Sequence, residues 1–310
     1  IRYIERVNMI SKEEFNVLYY LIKNPSTTQQ EMADALNVSL EETSDLMLLL
    51  KKQTYITEDG RMPENGYTVM KPYKVKNAII LAAGFASRCV PLSYERPKGL
   101  FVIKGEILIE RQIRQLLDKG ITKIYVVVGY LKEQFVTLEK EYPGVKLIEN
   151  PYYDTCNNIS SLYVAREHIE NAIILDGDQI IYNPEILAPE FERSGYNSVW
   201  TDGETDEWLQ TVENGIVTAC SRTGGKGGWQ LYSISRWTAE DGKKLKRHLE
   251  IEFEQKKNRQ IYWDDVAMFC YPEEYQLGIR PMNRDDIIEV DNLSELIALD
   301  ASYKKYVEEK

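Results

Sequence analysis

The chain has 310 residues, 43% of them hydrophobic and 28% charged, a composition that suits a soluble protein of one large and one small domain. Its formal net charge of −11 argues against a surface that coats nucleic acid, because such binding rests on clustered Lys and Arg. No apolar run approaches the ~20 residues of a membrane span, and no secretory signal precedes the first helix. Cys89, Cys156, Cys220 and Cys270 form no C-x-x-C pair, so free thiols in a reducing cytoplasm are expected. The start at Ile1 rather than Met reads as a trimmed version of something longer.

Ser11, with Glu14 three residues on, predicts a capped helix whose face carries Phe15, Leu18, Tyr19 and Ile22 and which ends at Asn24-Pro25. A second short helix is predicted over Thr28–Leu36, a tight turn at Asn37-Val38, and a third helix over Leu40–Lys52 with Ser39 as its cap. Tyr55-Ile56-Thr57, a Glu58-Asp59-Gly60 turn and Gly66-Tyr67-Thr68 then predict a β-hairpin. Helix, helix, turn, helix, hairpin is the order of a winged helix-turn-helix domain, which residues 1–73 resemble. The helix that would enter a major groove carries Glu41, Glu42 and Asp45, and the hairpin tip carries Glu58 and Asp59, charges that repel phosphate. DNA binding is therefore disfavoured against dimerisation, docking or regulation, and a homodimer is among the expected assemblies. Lys71–Lys74 reads as the linker.

Residues 74–310 alternate strand and helix. Strands are predicted at Ala78–Leu81, Lys123–Val128, Val145–Ile148, Ala172–Leu175 and Asn197–Trp200, with helices at Ile107–Lys119, Leu131–Tyr142 and Ser160–Ile169 between them. This spacing implies an α/β, Rossmann-like domain with a mixed, mostly parallel sheet. Short strands at Leu209–Val212, Ile216–Ala219 and Gln230–Ile234 and a charged helix over Glu240–Lys257 follow, an acceptor half laid over a nucleotide half. Gly224–Gly228 reads as a mobile loop. The two histidines, His168 and His248, fall in helical patterns and read as structural, which leaves the chemistry to carboxylates, fixed positive charges and a metal.

The stretch that organises the rest is Asn77–Leu100, NAIILAAGFASRCVPLSYERPKGL. A strand that empties into Ala82, Ala83 and Gly84 lets backbone N–H groups approach an anion, since little side chain blocks the way. Arg88 offers a planar fork to phosphate oxygens and Lys98 a mobile point charge. Together they describe a triphosphate cradle at the carboxyl end of a strand. Leu175-Asp176-Gly177-Asp178 places two carboxylates at the end of a later strand, a pattern that fits a turn as well as a metal site.

The ordered pattern L-A-A-G-x-x-S-R-x-x-P-L followed by P-K resembles the nucleotidyltransferases that join an NTP to a phosphate-bearing acceptor. From Lys76 to about Leu299 the chain resembles one branch, the bacterial CTP:phosphocholine cytidylyltransferases. Gly129 and Tyr130 in VGYLKEQF, Asn157, Asn158 and Ser161 in YDTCNNISSLY, and LDGD carry that resemblance. It implies nucleotide binding by Leu81, Ala82, Ala83, Gly84, Arg88, Lys98, Gly129, Tyr130, Asn157, Asn158, Ser161 and Asp176, with Lys98, Arg88 and Asp178 catalytic. It also implies Mg²⁺ on Asp178 and Asp264, with Asp291 a weaker candidate; Asp264 fits a helix N-cap as well. Trp208, Tyr262 and Trp263 match positions the family uses around choline, whose quaternary ammonium is held by aromatic faces and carboxylates. Trp229 is a further aromatic candidate and Trp200 is expected in the core.

The implied reaction is Mg²⁺-dependent transfer of CMP from CTP to phosphocholine, giving CDP-choline and pyrophosphate by in-line attack of the acceptor phosphate on the α-phosphorus. The rivals are a sugar-1-phosphate nucleotidyltransferase and a transcriptional regulator that senses nucleotide or phosphocholine. Two departures from the family pattern stand out: Ala86 where Gly is usual, and Gly99 where Ser commonly follows the lysine.

Overall fold

Ser11, Thr28 and Ser39 each accept a hydrogen bond from the backbone N–H three residues on, and Glu14, Glu31 and Glu42 return it. These reciprocal caps satisfy the orphan donors of α1 (Lys12–Lys23), α2 (Gln29–Leu36) and α3 (Leu40–Lys52). The computed structural model describes residues 9–308, and these divide into two units. The three helices belong to the first, which holds the residues up to Lys74 together with Glu190–Glu192; Val75–Pro189 and the chain from Arg193 onward make the second.

Phe15, Leu18, Met32, Met47, Leu50 and Tyr73 form the core of the first unit. The expected hairpin does not form. Thr57 N–H donates to the Arg61 carbonyl at 2.8 Å, closing a turn, and Gly66–Thr68 lies inside a fourth helix, α4 (Glu64–Met70). Gly66 is there for packing: a Cβ at that position would lie 2.2 Å from the Tyr55 carbonyl oxygen. Among the described residues the three helices of the winged-helix expectation are present and its wing is not. Glu41, Glu42 and Asp45 are exposed.

Among its described residues the second unit contains thirteen strands: β1 (Asn77–Ala82), β2 (Val102–Ile103), β3 (Glu106–Ile107), β4 (Ile124–Val128), β5 (Val145–Glu149), β6 (Ala172–Asp176), β7 (Gln179–Ile181), β8 (Gly195–Thr205), β9 (Leu209–Glu213), β10 (Ile216–Ser221), β11 (Gly225–Trp237), β12 (Gly278–Pro281) and β13 (Ile287–Glu289). Nine form one sheet in the order β5-β4-β1-β6-β11-β8-β12-β10-β9. β5, β4, β1 and β6 are parallel, and β11 turns the sheet antiparallel. The apolar runs of β1, β4 and β6 are buried almost throughout, as expected for parallel strands covered on both faces. Helices Leu108–Asp118, Val136–Glu141, Ile159–Val164 and Ala239–Glu250 cover the sheet unit, shorter than the sequence pattern suggested. Leu131–Tyr142 begins instead as a 3₁₀ turn (Lys132–Phe135), and the charged helix runs on as a π turn (Ile251–Gln255).

Gly224–Gly228 is not a loop. From Gly225 it belongs to β11, with Gly225 opposite Thr205 and Gly228 opposite Thr201. His168 stacks on Tyr125 with ring centroids 3.6 Å apart, and His248 is buried with Nδ1 2.8 Å from the Tyr275 hydroxyl, so both are structural. No helix among the described residues is long and apolar enough to cross a membrane.

Candidate active site

Parallel register sets the strand ends level. Leu81 lies opposite Asp176 and Ala82 opposite Val128, so the turns after β1, β4 and β6 meet at one carboxyl edge. Gly177 N–H donates to the Leu81 carbonyl at 2.8 Å and Tyr130 N–H to the Ala83 carbonyl at 3.0 Å, locking the turns together. Their closeness requires glycine: a Cβ on Gly129 would sit 2.7 Å from Tyr153 Cβ, and one on Gly177 2.9 Å from Ala82 Cβ. A Cβ on Gly84 would meet only open space, the opening through which an anion could reach the backbone. Ala86 adopts a left-handed conformation, φ 56°, the geometry for which glycine is better suited.

Arg88 and Lys98 converge on two carboxylates. Lys98 Nζ lies 2.6 Å from Asp178 Oδ2 and 3.9 Å from Asp291 Oδ1, and Arg88 Nη2 lies 2.6 Å from the same Asp291 oxygen. Asp291, the weaker sequence candidate, thus shares Lys98 with Asp178. It arrives because β13 pairs with β7 (Ile287 opposite Ile181, Glu289 opposite Gln179) and Val290 N–H donates to the Asp178 carbonyl at 3.1 Å. Burial opposes the Lys98 charge, but Asp178 and Asp291 outweigh it and hold the pKa above the ordinary lysine value. Glu289 is pushed up to about 7 by burial and by Asp178, and burial with Asp178, Asp264 and Glu289 nearby drives Asp176 well above the usual carboxylate range. Gln112, missed in the sequence because it sits mid-helix, donates from Nε2 to the Asp176 and Gln179 carbonyls at 2.8 and 2.9 Å and braces this loop.

Asp264 is 6% exposed, its Oδ1 has no hydrogen-bond partner, and its neighbours include the Tyr196 hydroxyl, Asp265 and Asp176. Burial pushes its pKa up to about 7, against the lowering effect of Tyr196 and its own backbone amide.

Trp208 meets Tyr262 edge to face at 5.8 Å and Phe269 at 5.5 Å, making a three-ringed corner. Phe269 carried no distinguishing sequence signal. Trp263 does not join this corner: it is 1% exposed and lies against Tyr196 and Trp237, so it is core and presents no free face. Trp200, expected in the core, is half exposed and pairs with Trp229 at 5.5 Å. Asn157 and Asn158 tie the two halves of the site together. Asn157 Nδ2 donates to the Gln260 carbonyl at 3.2 Å, and Asn158 Oδ1 accepts from Trp263 N–H at 2.9 Å. Ser161 is buried and its Oγ accepts from Asn150 Nδ2 at 3.1 Å.

A cradle of glycine turns, two cations and two strand-end carboxylates is the equipment of nucleotide transfer, and residues 78–236 match the MobA-like NTP transferase domain. The chain belongs to that family. It is 36% identical to a 2-aminoethylphosphonate cytidylyltransferase of Lancefieldella rimae, across 73% of this chain and 93% of the relative. It is 31% identical to a choline-phosphate cytidylyltransferase of Streptococcus pneumoniae, across 73% and 98%. The solved CTP:phosphocholine cytidylyltransferase from S. pneumoniae superposes with a TM-score of 0.67 at 31% identity, covering 74% of this chain and 99% of that one. This MobA-like transferase is thus similar to cytidylyltransferases in sequence and in structure.

Proposed function

We propose that the chain transfers CMP from CTP to a small acceptor with a phosphate or phosphonate at one end and an ammonium at the other. Phosphocholine is the acceptor the sequence suggested; the similarity to a 2-aminoethylphosphonate enzyme widens the reading to the zwitterionic class. The observation that carries it is the link between the two halves of the site. Glu207 interacts with Asp291 and Arg88 at the phosphate end, and the next residue, Trp208, forms the aromatic corner. The Asp264 carboxylate, buried with Oδ1 free of a hydrogen-bond partner and two residues from Tyr262, suits a cationic ligand.

The oxygen-only donor set of Asp178 and Asp291, beside Asp176 and Glu289, whose pKa values are raised by burial and then by neighbouring carboxylates, fits a divalent cation. Asp178 and Asp291 would hold Mg²⁺, which typically binds through one or two carboxylates plus substrate phosphates and supplies charge neutralisation. Arg88 and Lys98 would bind the triphosphate and stabilise the leaving pyrophosphate. The turns at Leu81–Gly84 and Gly129–Tyr130 would position the nucleotide, and Trp208 and Tyr262 would orient the acceptor so that its oxygen faces the α-phosphorus. No general base is required, since that oxygen is already anionic.

Pyrophosphate release from CTP, measured with phosphocholine, 2-aminoethylphosphonate and glucose 1-phosphate in parallel, tests the reading. Turnover with either zwitterion supports it; turnover with the sugar phosphate alone overturns it.

A further inference from the structure

One ion pair beside the aromatic corner touches two of its three members, the Tyr262 backbone and the Phe269 ring. Arg222 donates from Nε to Asp265 Oδ1 at 2.7 Å, and its Nη2 lies 2.5 Å from the same oxygen. The other oxygen, Oδ2, accepts the backbone N–H of Tyr262 at 2.8 Å. The guanidinium lies over the Phe269 ring, 3.8 Å from its centroid. The Asp265 side chain is 4% exposed and the Arg222 side chain 48%, so the pair runs from the interior to the edge of the corner. The two oxygens of Asp265 are thereby committed to donors within the protein, and the Arg222-facing side of Phe269 is taken by a cation the protein supplies itself.

The consequence is a division of labour. With one Phe269 face covered and Asp265 neutralised, the rings left for a ligand's ammonium are Trp208 and Tyr262, and the nearby carboxylate with an open oxygen is Asp264. We propose that Arg222 and Asp265 are positioning residues for the acceptor. They fix the Tyr262 backbone and the Phe269 ring, and through those two contacts the tilt of the Trp208 indole, without touching the acceptor themselves. A fixed edge-to-face corner holds an ammonium only while both rings keep their angle, and an ion pair that grips a backbone amide and a ring at once supplies that rigidity. Lysine could restore the charge but not the fork or the flat stacking surface.

The proposal rests on the acceptor reading above, and its test separates the two. Steady-state constants are measured for the full chain, for Arg222→Ala, Arg222→Lys and Asp265→Asn, with CTP and each zwitterionic acceptor varied in turn. The expected result is an acceptor KM raised about tenfold to a hundredfold in Arg222→Ala and Asp265→Asn. The CTP KM should stay within about twofold, and Arg222→Lys should recover only part of the loss. In a Trp208→Ala background the Arg222→Ala effect should largely vanish, because the indole through which it acts is gone. An unchanged acceptor KM, an equal rise in both KM values, or full additivity with Trp208→Ala in an active wild type overturns the positioning role alone. Absence of CMP transfer to either zwitterion by the wild type overturns the acceptor reading and the proposal with it.

Discussion

Replacing Asp264 with Asn should make the protein more stable at pH 8 while weakening its use of the acceptor. The side chain is 6% exposed, Oδ1 has no partner, and burial raises the pKa from the ordinary 3.8 to about 7. The folded state therefore binds this proton more tightly than the unfolded chain does. Below pH 3.8 both states are protonated and the group has no effect. As pH rises the unfolded carboxyl ionises first, so folding stability falls until the native carboxyl also ionises near 7. The accumulated loss is about 4 kcal/mol, at about 1.4 kcal/mol for each pH unit between the two values. Asn keeps the shape and sheds the titration. Urea unfolding of the two proteins should coincide near pH 4, with Asp264→Asn ahead by several kcal/mol at pH 8. Its acceptor KM should rise, because the carboxylate whose open oxygen suits an ammonium is gone. Equal stabilities at pH 8, or a variant less stable at both pH values, would refute the claim that this carboxylate is held unsatisfied in the native state.

Lys98→Ala should lower kcat by about 10²–10³, the usual effect of removing one preorganised charge from a transition state, and single-turnover quench-flow would read it. Trp208→Ala and Trp263→Ala should separate cleanly. The first raises the acceptor KM roughly tenfold or more with a small change in melting temperature. The second creates a core cavity and costs about 3–5 kcal/mol by denaturant titration. Ala86→Gly should keep activity and stabilise by up to about 1 kcal/mol in thermal scans, since Ala86 occupies a left-handed backbone. Gly129→Ala should do the opposite, because its Cβ would meet Tyr153 and the Ala83 carbonyl at once; a soluble variant with wild-type nucleotide affinity by calorimetry would contradict that.

The cradle was legible because its signal is local. Ala78–Leu81, Lys123–Val128 and Ala172–Leu175 are apolar runs buried by the sheet itself, and Arg88 and Lys98 follow the first closely in sequence. Glycine misled twice, for one physical reason. Gly66 and Gly224–Gly228 read as a hairpin and a mobile loop because glycine is permissive in turns. At Gly66 the real cause is the Tyr55 carbonyl 2.2 Å from where a Cβ would be, and at Gly228 it is Leu209 Cγ at 2.8 Å. Crowding by a distant segment leaves no mark next to the glycine in sequence. Asp291 carries little sequence signal, because it reaches Arg88 and Lys98 only when β13 pairs with β7. Arg222, with nothing special beside it, could be found only by its contacts with Asp265 and Phe269.

That β7–β13 pairing also sets when the cluster of Arg88, Lys98, Asp178 and Asp291 can be completed. Emerging from a ribosome, the chain would expose β1, β4 and β6, the glycine turns, Arg88 and Lys98 long before Glu289 and Asp291 exist. Until then two cations and Asp178 would face each other one carboxylate short, with Arg88 unanchored. A truncation just before β13 would therefore give a protein with all nine strands of its main sheet and a half-built charge balance, able to carry the nucleotide turns but lacking the strand that brings Asp291 to them.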